Sequence, residues 1–171
     1  MNEDKSLLNQ VASASYDPAD RPFDFVGGVG ATALVCEPDP ALREKITDSL
    51  KETGYQITMP ATSMDALKAM RFHIFDVVVL NELFDTADPQ TNSVLEYLEN
   101  MVMTTRRRFF VTLVSDRYRT MDNMAAFNRS VNIIINRNNI DSVGGIIQQG
   151  VADNKAFYHV FQETLRKMGK V

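Results

Sequence analysis

The sequence predicts a doubly wound α/β domain on a five-stranded parallel sheet, and three observations carry that prediction. Short apolar runs recur at Thr32–Cys36, Tyr55–Met59, Phe75–Leu80, Phe109–Val114 and Val131–Ile135. Two of them, Val77-Val78-Val79-Leu80 and Ile133-Ile134-Ile135, are continuous and mostly β-branched, as in strands buried on both faces of a parallel sheet. Between the runs lie segments with helical spacing, so strand and helix alternate, which implies right-handed crossovers and helices on both sides of the sheet.

Taken in order, residues 1–30 hold five acids (Glu3, Asp4, Asp17, Asp20, Asp24) against Lys5 and Arg21, together with Pro18, Pro22 and Gly27-Gly28-Val29-Gly30. They read as a flexible acidic leader, with Phe23-Asp24-Phe25-Val26 its one apolar cluster. After the first strand, Leu42, Ile46 and Leu50 recur every four residues. Val94, Leu95, Leu98, Met101 and Val102 form a second helical stripe. Ser63, Thr120 and Asp141 stand at expected N-cap positions. Met64, Met70, Met101, Met103, Met121 and Met124 are read mostly as core filling. Gly144-Gly145 weakens the last helix and Gly150 reads as its stop, with a further helix from about Asp153. Its Phe157, Phe161, Leu165 and Met168 form a stripe that must cover the domain or another chain. The organisation expected is leader 1–30, domain 31–150 and C-terminal helical extension 151–171.

Composition narrows the function classes. Of 171 residues, 44% are hydrophobic and 23% charged, which are globular values and exclude a wholly disordered chain or a disulfide scaffold. Cys36 is the single cysteine, and with His73 and His159 far apart no Cys/His zinc site can form, so no metal is expected. The start MNEDKSLLNQ lacks the pattern of a signal peptide, and no apolar run approaches the roughly 18 residues of a membrane span, so a cytoplasmic protein with no membrane partner is expected. The net charge of −4 sits mainly in the leader, so the rest has no global field for nucleic acid or anionic lipid. Arg106-Arg107-Arg108 is the one basic cluster and reads as a solvated turn, which disfavours nucleic acid as a partner. Gly27–Thr32 precedes a strand, where a phosphate loop must follow one. Ser115 has no histidine or lysine near it in sequence. With neither a nucleophile–base pair nor a cofactor loop, an enzyme is disfavoured and no cofactor is expected.

In an open parallel sheet of order 2-1-3-4-5 the ligand site lies beyond the carboxyl ends of the strands, beside strands 1 and 3. The residues there are Glu37-Pro38-Asp39 after strand 1, Asn81-Glu82 after strand 3, Ser115-Asp116 after strand 4 and Asn136-Arg137 after strand 5. As an ordered set over residues 32 to about 150, with LVCEPDPALREKITDSLKETGY as first strand and helix, they resemble the receiver domain of two-component response regulators. The resemblance implies a flavodoxin-like fold with an extra C-terminal helix. It also implies a site of two acids after strand 1, a phosphorylated aspartate ending strand 3, a Ser or Thr ending strand 4 and a Lys-Pro pair after strand 5. Here Glu37 keeps the first acid and Ser115 the hydroxyl. Pro38 replaces the second acid, Asn81 the phosphoacceptor, Asn136 the lysine and Arg137 the proline.

These losses act together, because aspartyl phosphorylation needs a carboxylate nucleophile, Mg2+ and a cation for the phosphoryl oxygens. Glu37 alone should bind Mg2+ poorly. Asp116 is expected to narrow the pocket, and Glu82, Asp85 and Asp88 to be solvated loop acids. The chain thus resembles the degenerate pseudo-receivers, which keep the fold and work by binding. The expected function is a non-phosphorylated protein–protein interaction module in bacterial signalling, with homodimerisation among the options. By analogy with receivers, the docking face would present Arg129, Asn132, Arg137, Asn138 and Asn139. The alternative is a receiver gated by a small ligand or anion in the altered pocket, held by Ser115, Asn81, Asn136 and Arg137.

Overall fold

A computed structural model describes residues 9–10 and 30–170. The expected leader, including Phe23–Val26, lies outside the described residues except for Asn9, Gln10 and Gly30. The elements are β1 (Thr32–Cys36), α1 (Pro40–Glu52), β2 (Gln56–Thr58), α2 (Ser63–Phe72), β3 (Val77–Asn81), α3 (Ser93–Glu99), α4 (Met103–Arg106), β4 (Phe110–Ser115), α5 (Asn123–Asn128), β5 (Ile133–Asn136) and α6 (Val143–Lys167). A single 3-10 turn at Pro89–Thr91 precedes α3, and a 3-10 segment at Arg137–Ser142, kinked at Asn139, precedes α6. The sheet is parallel throughout in the order β2-β1-β3-β4-β5. This is the flavodoxin-like arrangement the sequence predicts.

Side chains alternate across the sheet and so feed two cores. Leu34, Val78, Leu80, Val111, Leu113 and Ile134 pack toward α2, α3 and α5, where Leu67, Leu98 and Ala126 meet them. Ala33, Val35, Val77, Val79, Phe110, Ile133 and Ile135 pack toward α1 and α6, against Ile46, Leu50, Val143 and Ile147.

Four of the five strands begin one or two residues later than the apolar runs predict. Phe75, Phe109 and Val131 are buried at the entrances to β3, β4 and β5 as plugs beneath the helices, outside the ladder. Helix starts are set by neighbouring residues as well. Thr62 caps α2, its hydroxyl accepting from the Asp65 amide (3.2 Å) and donating to the Asp65 carboxylate (2.8 Å). Asp122 caps α5. The predicted caps do other work: Thr120 Oγ1 accepts from the Asn136 amide (2.9 Å), and Asp141 pairs with Lys45 (2.6 Å).

Two expectations are corrected. Gly150 does not stop a helix, because α6 runs unbroken for 25 residues. A Cβ at Gly150 would lie 2.7 Å from Cζ of Phe110, so glycine is there for close approach of helix to sheet, and the packing outweighs its helix penalty of about 1 kcal/mol. A boundary at 150/151 therefore falls inside one helix. The methionine set is also divided: Met70 is core, whereas Met103, Met121 and Met124 are exposed. The stripe at the end of α6 meets its own domain only in part: Leu165 is half-buried and Arg107 lies over Phe161, while Phe157 is 80% and Met168 59% exposed.

Candidate functional site

The carboxyl ends of β1, β3 and β4 converge on four buried polar side chains: Glu37, Asn81, Glu82 and Ser115. They form two closed hydrogen-bonded pairs. In the first, the Asn81 amide donates to both oxygens of Glu37, at 3.0 and 2.8 Å, and the Asp39 amide donates to Glu37 Oε1 at 3.0 Å. Asn81 Oδ1 accepts from the Leu83 amide (2.9 Å), so both ends of that side chain are committed. Burial pushes the Glu37 carboxyl above its ordinary value, opposed by the bonds from Asn81 and Asp39 and by the Arg137 charge.

In the second pair, the Glu82 carboxylate accepts from Ser115 Oγ (2.8 Å) and from Arg117, whose Nε lies 3.1 Å and terminal nitrogen 2.8 Å from Oε2. The Glu82 amide donates to the Val114 carbonyl (3.0 Å), prolonging the β3–β4 ladder by one residue and carrying the side chain to the end of β4. Asn92, buried at the start of α3, donates to the carbonyls of Asn81 and Glu82 (3.2 and 3.1 Å) and fixes the turn that follows. Ser115 Oγ also accepts from the Arg117 amide (3.0 Å), which turns the chain after β4 so that the arginine folds back over the acid. Arg117 is held more firmly protonated by its bonds to Glu82.

The remaining predicted residues divide. Pro38 is exposed and has no ligand atom in its side chain. The Asn136 amide group donates to the Tyr118 carbonyl (2.7 Å), and its Oδ1 accepts from the Asn138 amide (3.0 Å), so it ties the loop after β4 to the end of β5. Arg137 binds Asp39 and approaches Asp116 (3.9 Å). Asp116 points outward, its side chain 59% exposed, and does not narrow the site as expected; Arg117 covers it instead. Glu82 is likewise no solvated loop acid. Asp85 accepts from the Ser63 amide and Asp88 caps the 3-10 turn before α3, so the acids do not converge. Among the described residues no cluster of three or more His, Cys, Asp or Glu could hold a metal ion. The Mg2+ that receiver chemistry requires does not fit the donors here, because both Glu37 oxygens already accept from amides, Asp39 is paired with Arg137 and Pro38 offers nothing.

The five docking-face residues do not form one patch. Arg129 and Asn132 sit at the entrance of β5, with Asn132 Oδ1 accepting from the Val111 amide (2.8 Å), whereas Arg137, Asn138 and Asn139 sit at its exit. The arginine triplet also separates: Arg106 donates to the carbonyls of Phe109 and Ser130 (3.0 and 2.6 Å), while Arg107 lies over the Phe161 ring (5.2 Å). His73 Nε2 lies 3.0 Å from Thr32 Oγ1, and Cys36 is buried in the core.

Sequence reasoning missed Arg117, Asn92 and the role of Glu82. The available signal was an acid directly after one buried strand and an arginine two residues past the end of its neighbour.

No family model matches this chain, and no curated protein matches it. Solved structures do. The Francisella response regulator 1452 receiver domain aligns with a TM-score of 0.58 at 17% identity, over 73% of this chain and 99% of that one. A CheY-like response regulator receiver domain protein from Methanospirillum hungatei gives 0.56 at 16%, over 74% and 97%. A CheY-like receiver domain from Methylobacillus flagellatus gives 0.52 at 21%, over 70% and 98%. At these identities the likeness is one of fold: this chain has the receiver fold.

Proposed function

We propose that this protein is a pseudo-receiver: a receiver fold that is not phosphorylated, is not an enzyme and acts in signalling by binding another protein. One observation carries the reading. The place where a receiver handles a phosphoryl group is filled by the chain's own side chains, with Glu82 between the Ser115 hydroxyl and the Arg117 guanidinium and with Asn81 closed on Glu37. An amide at the end of β3 cannot serve as the carboxylate nucleophile that acyl-phosphate formation needs.

A small-ligand gate at the same place has less support. Such a ligand would have to displace Glu82 from Arg117, and Arg137 and Asn136 are engaged with Asp39 and the Tyr118 carbonyl. The proposed partner surface is the α5 side of the sheet, where Met124 and Phe127 are 70 and 77% exposed. A near-neutral domain offers nucleic acid no broad basic surface there.

The test is incubation of the full chain with acetyl phosphate and Mg2+, read by intact mass. The expected result is no change. A hydroxylamine-sensitive gain of one phosphoryl group overturns the proposal.

A further inference from the structure

We infer that the C-terminal half of α6 pairs antiparallel with the same helix of a second copy of this chain, about a two-fold axis at Val160. The inference does not depend on the chemistry of the strand-end site.

Up to Asn154 the helix belongs to its own domain: Val143, Ile147 and Gly150 are buried, and Asn154 lies 3.5 Å from Asn132. Beyond that point the domain covers one flank only, through half-buried Tyr158 and Leu165 and the Arg107 guanidinium over Phe161. The adjoining flank is apolar and open. Phe157 is 80% exposed, Val160 72%, Phe161 42% and Met168 59%; Val160 and Phe161 stand three and four residues after Phe157 and Met168 seven after Phe161, which sets all four on one side of the helix. Taking about 200 Å² for a phenylalanine, these four side chains leave roughly 450 Å² of apolar surface in water, the size of the largest patch on a typical monomer, which is often functional. Two copies bring roughly 900 Å², and the polar rim raises the total past the ~1,000 Å² that a specific interface requires.

Charge selects the occupant and its direction. Asp153 and Lys167 lie on the same flank of the stripe, each seven residues from Val160. An antiparallel pair centred on Val160 sets Asp153 of each copy opposite Lys167 of the other, twice by symmetry. It also places Phe157 against the ridge formed by Phe161 and Thr164 of the second copy. A parallel pair would set aspartate against aspartate and lysine against lysine. The surface is therefore self-complementary in one direction only.

Sedimentation equilibrium of the full chain tests this, with circular dichroism confirming that each variant retains its fold; all three substituted side chains are solvent-exposed. A dimer is expected, with Val160→Glu raising its dissociation constant by about tenfold or more, since two carboxylates then face each other at the axis. Asp153→Lys should weaken the dimer, and Asp153→Lys combined with Lys167→Asp should restore it. A chain that stays monomeric at about 100 μM overturns the inference, as does a dimer indifferent to Val160→Glu or a double variant that fails to recover.

Discussion

Removing the Arg117 guanidinium should expose how strongly the strand-end site is held by its own side chains. The Glu82 side chain is 4% exposed and carries two contacts from Arg117 at 2.8 and 3.1 Å besides the one from Ser115. Truncation in Arg117→Ala leaves a buried carboxylate with a single hydroxyl donor. Stripping one partner from a fully buried ion pair costs about 3–5 kcal/mol, whereas an exposed pair is worth about 0.2–1 kcal/mol. Arg117 is 43% exposed, so water can replace part of what it gives, and the loss should fall between these limits at about 2 kcal/mol. Lost stacking of the guanidinium on Tyr118 (5.2 Å) adds a few tenths. In a chain of this length about 2 kcal/mol corresponds to a fall of roughly 4–8 °C in Tm. Urea unfolding of the wild type, Arg117→Ala, Glu82→Leu and the double variant then forms a cycle. The coupling should be about 1.5 kcal/mol, because the double variant no longer buries an unpaired charge. Additivity within about 0.5 kcal/mol would refute the reasoning.

Gly150→Ala should destabilise the protein by about 1 kcal/mol, because overpacking of about 1–3 kcal/mol against Phe110 and Ile133 exceeds the helix-propensity gain of about 1 kcal/mol; a stabilised variant would show that the helix can shift away from the sheet. For His73, burial lowers the folded pKa below its ordinary 6.5, so below that pH the unfolded chain takes up the proton first and stability is lost as the pH falls. His73→Gln should remove that component of the acid slope, measured as the difference in urea midpoint between pH 7.5 and 5.5 for the two proteins, and equal slopes would contradict it.

Much of the fold was legible because parallel strands buried on both faces advertise themselves: Val77–Leu80 and Ile133–Ile135 have no polar alternation to misread. Strand ends were less legible, since Phe75, Phe109 and Val131 are as apolar as the strands they precede. Gly150 misled because a helical glycine has one local meaning and another set by what crosses it, here the Phe110 ring from a strand 40 residues earlier in the chain. At the site, Glu37 was visible as an acid kept from a known pattern and Asn81 as a departure from it, and the structure places them in mutual contact. The Glu82–Arg117 pair was not visible. Its partners stand 35 residues apart and meet only because β3 and β4 are neighbours whose ends turn toward each other. An acid just past a strand is a loop residue by any local criterion, until the ladder is seen to continue through it.

The central claim, that the receiver-type site is closed as a unit and has not merely lost its nucleophile, is tested most directly by Asn81→Asp with acetyl phosphate and Mg2+. The new carboxylate would stand where the Asn81 amide now lies 2.8 Å from a Glu37 oxygen. Two like charges at that distance raise the pKa of one of them and do not make a reactive acid. The Ser115 hydroxyl stays committed to Glu82, and Pro38 still offers Mg2+ no oxygen. The account predicts no phosphoryl group on Asn81→Asp by intact mass. Efficient Mg2+-dependent labelling of that single variant would contradict it.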